Sequence, residues 1–309
     1  MKTSPSKPIK NLPASVHDRL ATLAKKRGRP FQEILEYYAI ERFLFRLSQS
    51  HHARHFVLKG GQVLLAWGIP LQRPTRDIDL QASAAISDSD LEDILKEVCA
   101  QPVDPDGLTF HPDPVLVQHI IANATPPGIR VRFSASLGAA KIPMQIDINF
   151  AAETNLPTAF VDYPPLLGMP APRLRGCSHV TVVAEKVHAM VSLGMINSRL
   201  KDFYDTWLIS QILHVSGVDL TAAMVSTFRA RRTLMPDTSP SSFSDQFAQE
   251  KQREWQALLA SFPQSKAIPA NFLNLLVDLR RFLLPPLQAA ESGNTLDADW
   301  NPGGPWIAS

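Results

Sequence analysis

The sequence predicts an α+β protein, with strands concentrated in the first half and helices in the second. Three observations carry this. The stretches Arg130–Leu137 and Met144–Phe150 alternate apolar and polar residues, the period-2 mark of strands with one buried face. After Pro172 the pattern changes to helical periodicity. Asp77-Ile78-Asp79, just downstream of Gly60-Gly61, reads as a strand with both carboxylates on one face and Ile78 and Leu80 on the other.

Residues 1–11 read as a disordered tail. A helical pattern runs from Ser15, as N-cap, to about Ser48, broken at Gly28 and Pro30. Leu20, Leu23 and Ala24 mark the apolar face of its first part; Ile34, Leu35, Tyr38, Phe43, Leu44 and Leu47 mark that of the second. Phe56–Leu58 is a short strand entering the Gly-Gly turn, Val63–Trp67 a short helix, and residues 76–82 the strand with the aspartates. Residues 87–99 form an amphipathic helix on Leu91, Ile94, Leu95 and Val98. The two alternating stretches make a hairpin with Gly138–Pro143 as its turn, and the second strand puts Gln145, Asp147 and Asn149 on one face. Helices follow at Thr181–Leu193, Asn197–Leu213, 219–232, 245–261 and 269–284. In the second of these the apolar face lies apart from Asp202 and Asp205. Prolines cluster between segments, at Pro102–Pro114, Pro164–Pro172 and Pro285–Pro286, and the aperiodic tail Gly293–Ser309 is expected to lie on the surface.

Composition bounds the function. The 309 residues suffice for one large domain or two modest ones, and 45% hydrophobic residues supply a sizeable core. With 31 basic and 29 acidic residues, net charge +2, overall charge neither demands nor excludes a nucleic-acid partner. Cys99 and Cys177 match no metal-ligand spacing and read as buried free thiols in a reducing compartment. There is no signal-peptide pattern and no bilayer-spanning apolar run, so a soluble cytoplasmic protein is expected.

Paired carboxylates are hard oxygen donors that suit Mg²⁺ better than zinc, and a glycine turn lets backbone N–H groups approach a phosphate. Asp77, Asp79 and the later Asp147 are the candidate metal ligands, Gly60 and Gly61 the candidate phosphate cradle, and Lys186 or Lys201 the cation that offsets triphosphate charge. Each part alone is commonplace: Asp-x-Asp pairs are mostly solvated, glycine pairs mostly turns, and Lys186 beside Glu185 would ordinarily face water. Their order along the chain is what points to nucleotide chemistry.

That order resembles the polymerase-β-like nucleotidyltransferase superfamily. More closely, Phe56–Gly61, Thr75–Leu80, Ala184–Met190 and Asn197–Asp205 resemble the AbiEii and MenT-type nucleotidyltransferase toxins, over roughly residues 14–285. The resemblance implies a polymerase-β-like core, a mixed sheet with flanking helices, followed by a C-terminal helical lobe, with the site in the groove between them. Expected divisions are residues 1–50 as a helical segment packed on the core, 51–172 as the nucleotidyltransferase domain and 173–309 as the helical domain. It further implies Asp77, Asp79, Lys186 and either Asp202 or Asp205 as catalytic residues, with Asp202 the first choice because it directly follows Lys201. Gly60, Gly61, Gln62, Arg76, Arg199 and Lys201 join Lys186 as nucleotide-binding candidates. Gln62 stands where the superfamily usually has a serine or threonine, which weakens the phosphate assignment there, although an amide can still donate.

The expected activity is Mg²⁺-dependent transfer of a nucleoside monophosphate from an NTP to RNA, above all the tRNA 3′ end, blocking translation in a type IV toxin–antitoxin, phage-defence setting with an AbiEi-like antitoxin. Arg73, Arg76, Arg130, Arg132, Arg199, Arg229, Arg231 and Arg232 are candidate RNA contacts. The alternatives are transfer to a small molecule such as an aminoglycoside, and a non-catalytic binding protein on the same fold.

Overall fold

The computed structural model describes residues 11–83, 86–120, 128–151, 158–262 and 267–308; the tail expected at 1–11 lies outside these apart from Asn11. The chain divides into two compact units, Met1–Gly68 with Pro74–Gly176, and Ile69–Arg73 with Cys177–Ser309. Among the described residues, no helix is long and apolar enough to cross a membrane.

The first unit begins with helices α1 (Leu12–Arg27) and α2 (Phe31–Gln49). Asn11, not Ser15, caps α1, its side chain accepting from the Ala14 amide, with proline in the first turn. Gly28, at φ +62°, ends α1 in the left-handed conformation that glycine takes without steric cost. The 3-10 turn His51–His55 leads into β1 (Phe56–Lys59), α3 (Gly60–Ala66), β2 (Ile78–Ser83) and α4 (Asp88–Ala100). Strands β3 (Leu108–Ile120), β4 (Gly128–Leu137), β5 (Ala140–Ala151), β6 (Thr158–Asp162) and β7 (Arg173–Cys177) follow. The described strands form one sheet in the order β3-β4-β5-β2-β1-β7-β6. It is mixed, because β2 pairs with β5 and β1 with β7 in parallel while β1/β2, β3/β4 and β4/β5 are antiparallel. Helix α2 packs on β5 and α4, burying Tyr38, Phe43 and Leu44 completely.

Two strand boundaries differ from the sequence expectation for identifiable reasons. Leu137 pairs with Ala140, so the hairpin turn is only Gly138-Ala139, with Gly138 at φ +57°. Residues 140–143 are therefore strand. Pro143 is tolerated because β2 joins β5 only from Ile146 onward, which leaves one side of β5 without a ladder at that point. The proline-rich stretch before Pro114 hides β3. It is the sheet's edge strand, and its register with β4 shifts between His111 and Leu116, so Pro112 and Pro114 fall outside the paired positions.

The second unit contains α5 (His179–Leu193), α6 (Leu200–Ile212), β8 (Val215–Ser216), α7 (Gly217–Ala230), α8 (Asp245–Ala260), α9 (Phe272–Glu291), β9 (Ala298–Trp300) and β10 (Trp306–Ala308). α7 packs on α5, and α6, α7 and α8 pack on α9. Phe203, Phe247, Trp255 and Phe272 fill the core with tilted and edge-on ring contacts.

The C-terminal stretch lies largely exposed, as expected, but it carries regular strands where the sequence shows no period. β8, β9 and β10 form a small antiparallel sheet, and Trp300 is buried. Helix α9 also continues through Pro285 and Pro286 instead of stopping before them. A proline at 286 removes the N–H that would reach the Phe282 carbonyl. The Trp306 indole N–H donates to that carbonyl at 3.0 Å, so the tail satisfies the group the proline orphans. Likewise the Trp300 indole and the Gly303 amide donate to the Ser210 carbonyl near the end of α6, at 2.7 and 2.9 Å.

Candidate active site

Strand register in the first unit lines up a row of charges. Lys59 on β1 lies opposite Asp79 on β2, Asp79 opposite Asp147 on β5, and Asp147 opposite Arg130 on β4. Directly opposed residues project from the same face of a sheet, so these four side chains share one face. Asp77 sits in the bend just before β2 and is exposed; Asp79 and Asp147 are half-buried. Ile78 and Leu80 are buried on the other face, as the period of two requires.

Arg130 grips Asp147 with both arms, Nε to Oδ1 at 2.8 Å and Nη2 to Oδ2 at 2.7 Å. This bond, opposed by partial burial and reinforced by the charges of Asp147, Asp77 and Asp79, raises the Arg130 pKa. One guanidinium thus senses all three carboxylates.

Gly60 opens α3 at φ +60°, and a Cβ there would overlap the Asp79 carboxylate. Its missing side chain is what lets Asp79 occupy that position. Gln62 is fully buried, and its Nε2 donates to the Thr75 and Asp77 carbonyls at 3.0 and 3.2 Å while Tyr163 Oη donates to its Oε1 at 2.8 Å. Both amide protons are spent on the loop that carries Asp77. In this structure Gln62 therefore positions that aspartate and does not present its amide to a phosphate. Arg76 is exposed and ion-paired with Glu36 at 3.1 Å.

In the second unit Lys186 on α5 meets both aspartates of α6, donating to Asp202 Oδ1 at 2.6 Å and Asp205 Oδ2 at 2.9 Å. Arg73 binds Asp205 in a two-armed pair, Nε to Oδ1 at 2.7 Å and Nη2 to Oδ2 at 2.6 Å. Arg199 Nε reaches Asp202 Oδ2 at 2.7 Å, and Lys201 is exposed. Burial alone would lower the Lys186 pKa; the charges of Asp205 and Asp202 outweigh it and the net shift is upward. Burial would likewise raise Asp205, but Lys186 and Arg73 hold its carboxyl below the usual range. Lys186 and Asp205 therefore both stay charged near neutrality.

Lys186 is thus not the commonplace solvated position, and Asp202 and Asp205 are not surface charges: apart from Lys201, α6 is buried all round from Leu200 to Ser210. One expectation needs correcting. Arg73 and Arg130 are not free for RNA, since each is committed to a buried or half-buried carboxylate. Sequence gave no local signal for either pairing; Arg73 and Asp205 are 132 positions apart. Cys177 is buried and Cys99 half-buried, and burial pushes the Cys99 thiol up to about 12, as expected of inert thiols.

Asp77, Asp79 and Asp147 offer only carboxylate oxygens, the donors that a hard divalent cation takes. The bidentate arginine uses one lone pair of each Asp147 oxygen and leaves the second. The donor chemistry suits such a cation, but among the described residues the three ligating side chains whose atoms lie within 4.8 Å of one another are His51, His52 and Glu97, not this row.

The chain is similar in structure to JHP933 from Helicobacter pylori, at 12% identity over 82% of this chain and 89% of that one, with a TM-score of 0.40. It is also similar to a candidate nucleotidyltransferase from H. pylori, at 13% identity over 90% and 93% of the two chains, TM-score 0.40. No curated protein matches it. The family described as nucleotidyl transferase AbiEii toxin, type IV TA system, matches residues 42–276, a span that holds the charged row of the sheet as well as the Lys186–Asp205 cluster, and the chain belongs to that family as a nucleotidyltransferase.

Proposed function

We propose that the protein transfers a nucleoside monophosphate from an NTP to the 3′ end of tRNA in a Mg²⁺-dependent reaction, and that an AbiEi-like antitoxin opposes it in a phage-defence system. The observation that carries the reading is the register that sets Asp79 opposite Asp147, with Asp77 beside them and Arg130 answering their charge.

The RNA 3′-hydroxyl oxygen attacks the α-phosphorus. The new P–O bond forms as the bond to the bridging α,β oxygen breaks, and pyrophosphate leaves. Asp77 and Asp79 would hold the divalent ion, with Asp147 as a third ligand kept in orientation by Arg130. When bound, the ion offsets triphosphate charge and makes the hydroxyl easier to deprotonate. Gly60 keeps the Asp79 carboxylate in place, and Gln62 fixes the loop of Asp77 through two backbone carbonyls. Lys186 gives two of its three N–H groups to Asp202 and Asp205, which leaves one for a phosphate oxygen. Asp205 serves as the buried anchor of that lysine. Asp202, whose second oxygen pairs with the exposed Arg199, is the better candidate for the acid/base or positioning role. Arg229, Arg231 and Arg232 are exposed and stand as the candidate contacts to RNA phosphates.

The test is transfer of label from each NTP in turn to total tRNA, with Mg²⁺, beside an Asp77→Asn/Asp79→Asn control. Label on tRNA should fall on the order of 100-fold or more in the control. Label that appears on a small cationic acceptor and never on RNA would replace tRNA with an aminoglycoside-like substrate.

A further inference from the structure

A second cluster of ligating side chains lies in the first unit, away from the charged row. His51 and His52 are adjacent on the 3-10 turn between α2 and β1, and Glu97 is on α4. One ring nitrogen of each histidine and one oxygen of Glu97 all lie within 4.8 Å of one another. His52 Nε2 is 2.8 Å and His51 Nε2 3.7 Å from Glu97 Oε2. We propose that these three residues bind a Zn²⁺ ion that ties the turn to α4.

Geometry supports this. Bonds of roughly 2.0–2.1 Å in a tetrahedral site put neighbouring ligand atoms about 3.3–3.5 Å apart. The two distances to Glu97 bracket that spacing, and the two ring nitrogens lie within 4.8 Å of each other, so modest side-chain adjustment closes the three atoms on one ion. The parts differ usefully in freedom: His52 is held, its side chain 11% exposed, while His51 and Glu97 are 71% and 58% exposed and can close on an ion. The surrounding pocket, about 420 Å³, is also lined by Asp90 and Asp93, so its charge favours a cation and a water or a further carboxylate can fill the fourth position. Arg54 lines it too, but its Nε donates to His55.

Ligand chemistry separates this site from the row of Asp77, Asp79 and Asp147. Two imidazoles and one carboxylate suit zinc, whereas an all-carboxylate set suits Mg²⁺. The turn runs directly into β1, which ends at Lys59 beside Gly60. An ion here holds the start of the strand that delivers Gly60 to Asp79. The role is structural, and the reaction proceeds through other residues.

The experiment is calorimetric titration of chelator-stripped full-length protein with ZnCl₂ in millimolar Mg²⁺, which keeps the carboxylate row out of competition. One site of micromolar affinity or tighter is expected. Glu97→Gln and His52→Asn should each weaken it by at least about tenfold, and Asp77→Asn/Asp79→Asn should leave it unchanged. Zn²⁺ should also raise the melting temperature of the wild type and not that of Glu97→Gln, an exposed substitution whose fold circular dichroism can verify. No micromolar binding, binding that survives Glu97→Gln, or binding lost only with Asp77 and Asp79 would each overturn the proposal.

Discussion

Gly60 and Asp205 show how single residues hold the two charged clusters. Gly60 has a positive φ, and its Cα faces the Asp79 carboxylate without room for a Cβ. Gly60→Ala therefore meets both a backbone penalty and a collision. It should destabilise the protein by about 1–3 kcal/mol, and it should reduce nucleotide transfer more than thermal stability explains, because Asp79 must move; melting curves beside transfer rates separate the two effects. Asp205 is fully buried between Lys186 and Arg73. Asp205→Asn leaves two buried cations short of a counter-charge and should cost about 3–5 kcal/mol in a urea titration. Asp202→Asn should cost less, since one of its two cationic partners, Arg199, is itself exposed and can turn to water. Loss of activity in Asp205→Asn by itself then reports folding, and Asp202 is the position at which to look for chemistry.

Helices of the second unit depend on groups supplied from elsewhere in the chain. α9 carries two prolines, and Trp306 donates to the Phe282 carbonyl that Pro286 leaves without its helical partner. Trp306→Phe preserves the ring stacked on Phe282 but removes the donor, and should lower stability by about 1 kcal/mol in chemical denaturation. Between α5 and α7, His188 packs edge-on against Phe228 and is hydrogen-bonded to Thr233. Burial, then the positive charge of Arg231, lowers its pKa from 6.5 to about 4. The unfolded chain takes up this proton near pH 6.5 and the folded chain only near 4. The stabilisation is thus complete above about pH 6.5 and is lost as pH falls toward 4. The shift corresponds to roughly 3 kcal/mol at most, and solvent screening of exposed Arg231 reduces the expected loss to about 1–2 kcal/mol. Denaturant titrations between pH 7 and 4 should show that slope, and His188→Gln should flatten it.

At the scale of the whole molecule, what was readable from the chain is what local periodicity encodes. Alternation at 130–137 and 144–150 marks β4 and β5, the helical repeat after Pro172 marks α5 to α9, and Asp77-x-Asp79 with Gly60-Gly61 marks the part of the sheet that carries the carboxylate row. Those patterns follow from side-chain direction within a few residues of chain, so they survive without any knowledge of neighbours. Where packing overrides a local rule, reading fails: prolines inside β3 and α9 are punctuation in sequence, yet an edge register shift and a tryptophan from the tail accommodate them. Tertiary structure alone decided the register that brings Asp79 opposite Asp147 and Asp147 opposite Arg130, and the burial that turns Lys186, Asp202, Asp205 and Arg73 into one ion cluster. The reason is desolvation: a charge is a surface residue by composition, and it becomes a fixed part of a site only when distant segments remove its water and supply its partner.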